Sequence, residues 1–278
     1  IGTKPHKVRS LFKKLIEIVN ISEKYKNPMK VKAYWFERVP NFGDLLNPVL
    51  LKHYGLTPIK SSLKIAKVIA LGSVLQDLPE VFSGFIIGSG LISDMERRFP
   101  NAKILAVRGR LTRVRIGADK NIPLGDPGLL APLFFTKVPQ KKYVLGLVPH
   151  FVDKDDERIR RLWSTSPNDV IIIDVQRKPK AVISEIRQCE HILSSSLHGL
   201  ITADAYGIPN AWVFLSDKVI GKGFKFHDYV SAFDSNIDTN LITGQESLSK
   251  LIKLTKIRVN NLNEIQNNLD NAFRIMAT

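Results

Sequence analysis

The run His191-Ile192-Leu193-Ser194-Ser195-Ser196-Leu197-His198-Gly199-Leu200-Ile201-Thr202-Ala203-Asp204-Ala205-Tyr206-Gly207, with Ala211-Trp212-Val213-Phe214 after it, decides the fold. A short apolar strand stops at a serine triplet and an apolar helix is predicted over 197–206. Gly207 ends that helix, with Pro209 beyond. A second apolar run follows at once, giving the strand–helix–strand unit of a parallel sheet. The serine hydroxyls and the free N–H groups of the first turn form an anion cradle at the positive end of the helix dipole. His198 falls in that turn, able to bind phosphate or to move a proton.

The same rhythm extends in both directions. Near-continuous apolar runs over 31–36, 68–71, 85–87, 104–107, 143–148 and 170–173 read as parallel strands covered on both faces. Helices are predicted over 44–54, 109–116, 127–135, 154–164, 179–189 and 246–256. A break at 136–142, carrying Lys137, Pro139, Gln140, Lys141 and Lys142, separates two equivalent sets. The expectation is an α/β protein of two Rossmann-like lobes, 31–136 and 137–245, with a cleft at the carboxyl ends of their strands. Residues 246–278 are a polar, Asn-rich helical segment expected to brace the first lobe.

Composition narrows the classes. The 278 residues are 44% hydrophobic and 24% charged, so disorder is not expected. No run approaches the roughly 18 apolar residues of a membrane span, and Ile1 to Lys7 lack a leader pattern, so secretion is not expected. Cys189 is the only cysteine, which leaves no disulfide framework and no multi-cysteine zinc site. Lys and Arg number 41 against 26 Asp and Glu, a net +15 that favours anionic partners. Residues 1–30 hold eight of these cations beside an apolar stripe (Val8, Leu11, Phe12, Leu15, Ile16, Val19). That segment is either a basic amphipathic helix on an anionic bilayer or a helix packed on the body of the protein.

The remaining informative residues stand where strands stop. Asn41-Phe42-Gly43-Asp44 precedes an apolar helix, with Asn41 and Asp44 either as ligand or base groups or as the turn and cap of that helix. Gly88-Ser89-Gly90 offers backbone N–H groups to an anion. Val107-Arg108-Gly109-Arg110-Leu111-Thr112-Arg113 sits in a stretch, 97–118, of seven cations and no acid, suited to phosphate or carboxylate. Asp126, in Leu124-Gly125-Asp126-Pro127, caps a helix or orients an Arg or a substrate hydroxyl.

In this order, with Ser195-Ser196-Leu197-His198-Gly199 and Ala203-Asp204-Ala205-Tyr206-Gly207-Ile208-Pro209, these motifs resemble the polysaccharide pyruvyl transferase family over roughly residues 31–235. The resemblance implies lobes of glycosyltransferase-B type, phosphoenolpyruvate as donor substrate with no cofactor or metal, and a glycan or lipid-linked sugar diol as acceptor. It also implies bacterial surface-polysaccharide synthesis at the cytoplasmic side of the inner membrane, with an anionic membrane surface as a further partner. Arg108 and Leu197-His198 fall on the family's donor-site motifs. Some members carry Arg where this chain has Ser196; either Arg113 or Lys225 then stands in, or the donor is held through serine hydroxyls and helix N–H groups. His198 is expected as proton donor or phosphate anchor, Arg108 and Arg113 as clamps on the donor's anionic groups, and Asp44 as acceptor-side base or orienter. Asn41, Gly88, Ser89, Gly90, Asp126, Ser194, Ser195, Ser196, Leu197 and Gly199 line the expected site, with His150 and His227 in reserve. Arg108 and His198 are expected to face one small ligand.

Two rivals come from other classes. A nucleotide-sugar glycosyltransferase would use the same two lobes, with Asp126 and the serine turn on ribose and diphosphate. A nucleic-acid-binding module would suit the charge, but Trp35, Trp163, Trp212 and Tyr143 lie in apolar patterns and are not interleaved with the basic residues.

Overall fold

The computed structural model describes residues 28–278. The basic segment expected over 1–30 lies outside them but for its last residues, and Met29 and Lys30 open a strand. The first lobe runs β1 (Met29–Tyr34), α1 (Leu46–His53), β2 (Leu56–Lys60), β3 (Val68–Ile69), β4 (Phe85–Ile87), β5 (Lys103–Ala106) and α2 (Arg110–Ile116). The second runs β6 (Tyr143–Val148), α3 (Glu157–Thr165), β7 (Val170–Ile172), α4 (Pro179–Arg187) and β8 (Cys189–Ser194). It continues with α5 (Leu197–Ala205), β9 (Asn210–Phe214), α6 (Phe224–Val230), β10 (Asn240–Leu241) and α7 (Leu248–Ile252), and the chain closes with α8 (Leu262–Ala277). Each lobe is built on a five-stranded sheet, ordered β2-β1-β3-β4-β5 and β10-β9-β8-β6-β7. Every strand pair is parallel. The protein is thus α/β, with two Rossmann-like lobes.

The apolar runs predict the six interior strands, which are covered on both faces, and the edge strands β5 and β7. The other two edge strands carry a weaker signal. β2 contains Pro58, which a sheet tolerates at an edge, and β10 is two residues long. The helix expected over 127–135 is a 3₁₀ segment, Pro127–Leu133, because Pro132 inside it cannot donate to an α-helical ladder. The helix expected over 246–256 shortens to α7.

The lobes are tied at several points. α8 returns to the first lobe and buries Ile265, Leu269, Ala272, Phe273 and Met276 there. Tyr54, just past α1, stacks on Phe273 at 4.9 Å and donates its hydroxyl to Asp270 at 2.7 Å. Between the lobes, the Phe42 amide donates to Val175 O at 2.8 Å. No helix among the described residues is long and apolar enough to cross a membrane.

Candidate active site

The carboxyl ends of the two sheets face a cavity of about 400 Å³, and Asp44, His150, His198 and Lys225, from both lobes, line it together with the more peripheral Tyr34, Asp77 and Lys218. Asp44 comes from the turn after β1. Asn41 Oδ1 accepts from the Gly43 amide at 3.0 Å, and Asn47 clamps the turn by donating to Asp44 O and Leu71 O, both at 3.0 Å. The residue at the cap position of α1 is Leu45, not Asp44. The carboxyl is therefore not a helix cap, and it is buried against the cavity. Burial pushes its pKa up to about 7, Lys225 opposing and the Asp126 charge adding to the rise.

His198 enters from the second lobe in the first turn of α5, where Ser196 and Leu197 also line the cavity. Its ring lies against Gly43 and edge-on to Phe42, with centroids 6.2 Å apart. Desolvation, together with the charges of Lys225 and Arg108 and with His150 nearby, lowers its pKa to about 3. Burial and Lys225 do the same to His150. Both imidazoles are neutral before a ligand arrives. The buried positive charge at this wall belongs to Lys225 on α6, whose pKa burial and Arg108 lower to about 8, Asp44 and Asp153 opposing, and the exposed Lys218 also lines the cavity.

Arg108 does not reach this cavity. Its guanidinium is wholly buried: Nε and Nη2 bind Asp228 Oδ2 at 2.9 and 2.8 Å, Nη2 also donates to Leu91 O at 2.5 Å, and Nη1 donates to Ser73 Oγ. Asp228 in turn accepts from the Thr112 amide and hydroxyl, each at 2.7 Å. Arg108 thus joins the first lobe to α6 behind Ser73, and the expected clamp on a ligand is a tie between lobes. The other arginines of 97–118 are likewise committed. Arg113 is on the surface, donating to Lys120 O at 2.6 Å. Arg110 reaches Ser231 O at 2.8 Å, and Arg115 pairs with Asp94.

Several other expected residues shape the site from behind it. The amides of Gly88 and Gly90 donate to Ala106 O and Gly72 O at 2.8 and 3.1 Å, and Ser89 Oγ donates to Gly72 O at 2.7 Å. Neither glycine amide is left for an anion, and a side chain on Gly90 would strike the Arg108 guanidinium. Asp126 caps the 3₁₀ segment through the Gly128 amide at 2.9 Å, away from the cavity, and burial raises its pKa to about 6. Ser194 Oγ is spent on Val148 O at 2.8 Å, and Gly199 packs against that serine. Ser195 Oγ donates to Asp153 at 2.8 Å and accepts from the His150 amide at 2.8 Å. His227 is exposed and edge-on to Trp212.

Asn41, Asp44, Ser196, Leu197 and His198 are therefore brought together, with His150 and Lys225 beside them. Ser73 and Gln76, also on the wall, carry no sequence signal beyond lying past a strand end. Chemically, the arrangement offers a cation, a helix N-terminus and two imidazoles to an anion, and a carboxyl poised near neutrality to a proton in flight.

Comparison with known proteins places these turns inside a single matched region. The model of a family described as Polysaccharide pyruvyl transferase matches residues 41–213. The chain is 31% identical over 205 residues to the succinoglycan biosynthesis protein ExoV of Rhizobium meliloti, covering 70% of this chain and 62% of that protein. It is 36% identical over 159 residues to an uncharacterised protein of Acanthamoeba polyphaga mimivirus, covering 53% of this chain and 54% of that one. The chain thus spans a little over half the length of these curated relatives. Among solved structures, the wall teichoic acid polymerase TagF superposes with a TM-score of 0.47 at 11% identity, over 99% of this chain and 98% of that one. A functionally uncharacterised protein of Klebsiella pneumoniae superposes with a TM-score of 0.42 at 12% identity, over 83% of this chain and 98% of that one.

Proposed function

The chain belongs to the polysaccharide pyruvyl transferase family, and from that premise we propose that it moves the three-carbon unit of phosphoenolpyruvate onto a sugar diol of a glycan or its lipid-linked precursor, as a ketal. What supports this reading is one juxtaposition: Lys225 and His198 of the second lobe stand on the same cavity as Asp44 of the first.

In the reaction, one sugar hydroxyl adds to C2 of the enol phosphate while the methylene carbon takes up a proton and becomes methyl. The second hydroxyl adds to the same carbon, and the C–O bond to phosphate breaks. Of the two hydroxyl protons, one balances the new methyl C–H and one leaves with phosphate. Lys225 and the N–H groups of α5 hold the donor's phosphate and carboxylate. With that polyanion bound, the neutral His198 is drawn toward protonation, which suits a proton donor to the methylene carbon. Asp44, poised near neutrality, accepts the hydroxyl proton of the incoming sugar.

The experiment is a thermal-shift comparison of phosphoenolpyruvate with nucleoside diphosphates, followed by mass spectrometry of candidate glycans incubated with enzyme and donor. Stabilisation by phosphoenolpyruvate and a gain of one pyruvyl ketal are expected. Stabilisation by a nucleoside diphosphate alone would transfer the assignment to a nucleotide-sugar glycosyltransferase.

A further inference from the structure

In each sheet the chain winds outward in both directions from one gap. That gap lies between β1 and β3 in the first lobe, and between β6 and β8 in the second. Parallel α/β sheets bind ligands in the crevice outside the carboxyl ends of the strands at such a gap. Three of the four flanking strands already supply the site: Asp44 follows β1, His150 follows β6 and His198 follows β8. The fourth, β3, runs into Gly72-Ser73, and Ser73 stands on the same cavity. Gly72 lies directly against the carboxyl of Asp44, since a β-carbon on it would come within 2.8 Å of Oδ1.

The turn is held from behind. Gly72 O accepts from the Gly90 amide at 3.1 Å and the Ser89 hydroxyl at 2.7 Å, and Gln76 Nε2 donates to Ser73 O at 2.9 Å. The side chain of Ser73 is held too, because Arg108 Nη1 donates to its Oγ. A serine hydroxyl has one proton and two acceptor positions, whereas a guanidinium only donates. Arg108 therefore takes a lone pair and leaves the hydroxyl proton for another partner. Among the described residues no acceptor takes that proton. A hydroxyl polarised by a cation behind it donates more strongly than a free one, which suits it to an anionic oxygen. We propose that Ser73 is a binding residue of the active site, its hydroxyl donating to an anionic oxygen of bound phosphoenolpyruvate, and that Arg108 is the positioning residue that aims it. The proposal rests on the transferase reading above. It gives the strand-end arginine a part in binding with no contact of its own: its charge faces Asp228, and what it presents to the cavity is the serine.

Calorimetric titration of phosphoenolpyruvate, and separately of inorganic phosphate, into the wild type, Ser73→Ala, Arg108→Met and the double variant tests both roles. Ser73→Ala is expected to bind phosphoenolpyruvate about 10-fold more weakly or worse. Arg108→Met should cost a few-fold in the wild-type background and nothing further in the Ser73→Ala background, because it acts only through the hydroxyl. The same loss in both backgrounds overturns the positioning role, and if Arg108→Met does not fold, Ser73→Ala carries the test alone. Wild-type affinity in Ser73→Ala overturns the proposal and leaves the transferase reading standing. If the wild type binds inorganic phosphate but not phosphoenolpyruvate, and Ser73→Ala weakens the phosphate, the donor assignment fails and the role of the serine stands. Binding of neither anion to the wild type overturns both.

Discussion

Gly43 and His198 touch across the cleft so closely that a β-carbon on the glycine would lie 2.0 Å from the imidazole Cγ. The contact joins the first strand-end turn of one lobe to the first helical turn of the other, and it fixes the ring that faces the ligand. Gly43→Ala is therefore expected to displace His198. A positioned acid–base group is worth about 10²–10⁴-fold, so turnover measured as phosphate release should fall by at least about 10²-fold. The melting temperature should fall as well, since overpacking costs about 1–3 kcal/mol. Turnover within a few-fold of wild type would mean that the ring position is unimportant.

Lys225 and Arg108 separate binding from architecture. A charged hydrogen bond contributes about 1.5–3 kcal/mol, so Lys225→Met should weaken phosphoenolpyruvate by about 10- to 150-fold while the fold persists. Arg108→Met strands Asp228, and breaking a buried pair costs about 3–5 kcal/mol. Urea unfolding should show that loss, and donor affinity in the folded fraction should change only a few-fold. The reverse pattern would return Arg108 to the ligand.

The pH–rate profile follows from two of the site's groups. A base acts ionised, so Asp44 becomes active as pH rises through about 7. A phosphate-binding ammonium acts protonated, so Lys225 fails as pH rises through about 8. The value of kcat/KM for the free enzyme should form a narrow bell between these limits. Asp44→Asn should remove most of the activity and, in what remains, the acidic limb. A profile flat from pH 6 to 9 would contradict both roles.

Asp44 also leaves a mark on stability. Its carboxyl titrates near 3.8 when unfolded and at about 7 in the fold, so between those values the folded chain keeps a proton that the unfolded chain has released. Wild-type stability relative to Asp44→Asn should therefore fall as pH rises from about 4 to about 7. Urea melts across that range measure it, and a constant difference would place the carboxyl in a more solvated setting.

Much of this was legible in the residues. Interior strands such as 143–148 announce themselves as unbroken apolar runs, and the serine triplet before Leu197 marks a strand end feeding a helix mouth. Two of the edge strands lack that signature: β2 carries Pro58 and β10 is two residues long. Asp44 and His198 were readable as site residues because strand-end turns face the cleft. Arg108 was readable as a strand-end cation, but not as a tie, because its partner Asp228 lies 120 positions away on a helix that periodicity misses. α6 is seven residues long and its aromatic and charged residues alternate without a helical stripe. Lys225, on that same helix, could be named only as a stand-in for an arginine lacking at Ser196. Distance along the chain hides such pairs, since local pattern carries no information about which lobe a side chain will meet.

Calorimetric titration of phosphoenolpyruvate into the wild type and into Lys225→Met tests the central claim most directly. The account predicts one saturable site per chain in the wild type, and affinity lower by about 10-fold or more in the variant. Equal affinity in the two proteins, or no binding to the wild type, would contradict it.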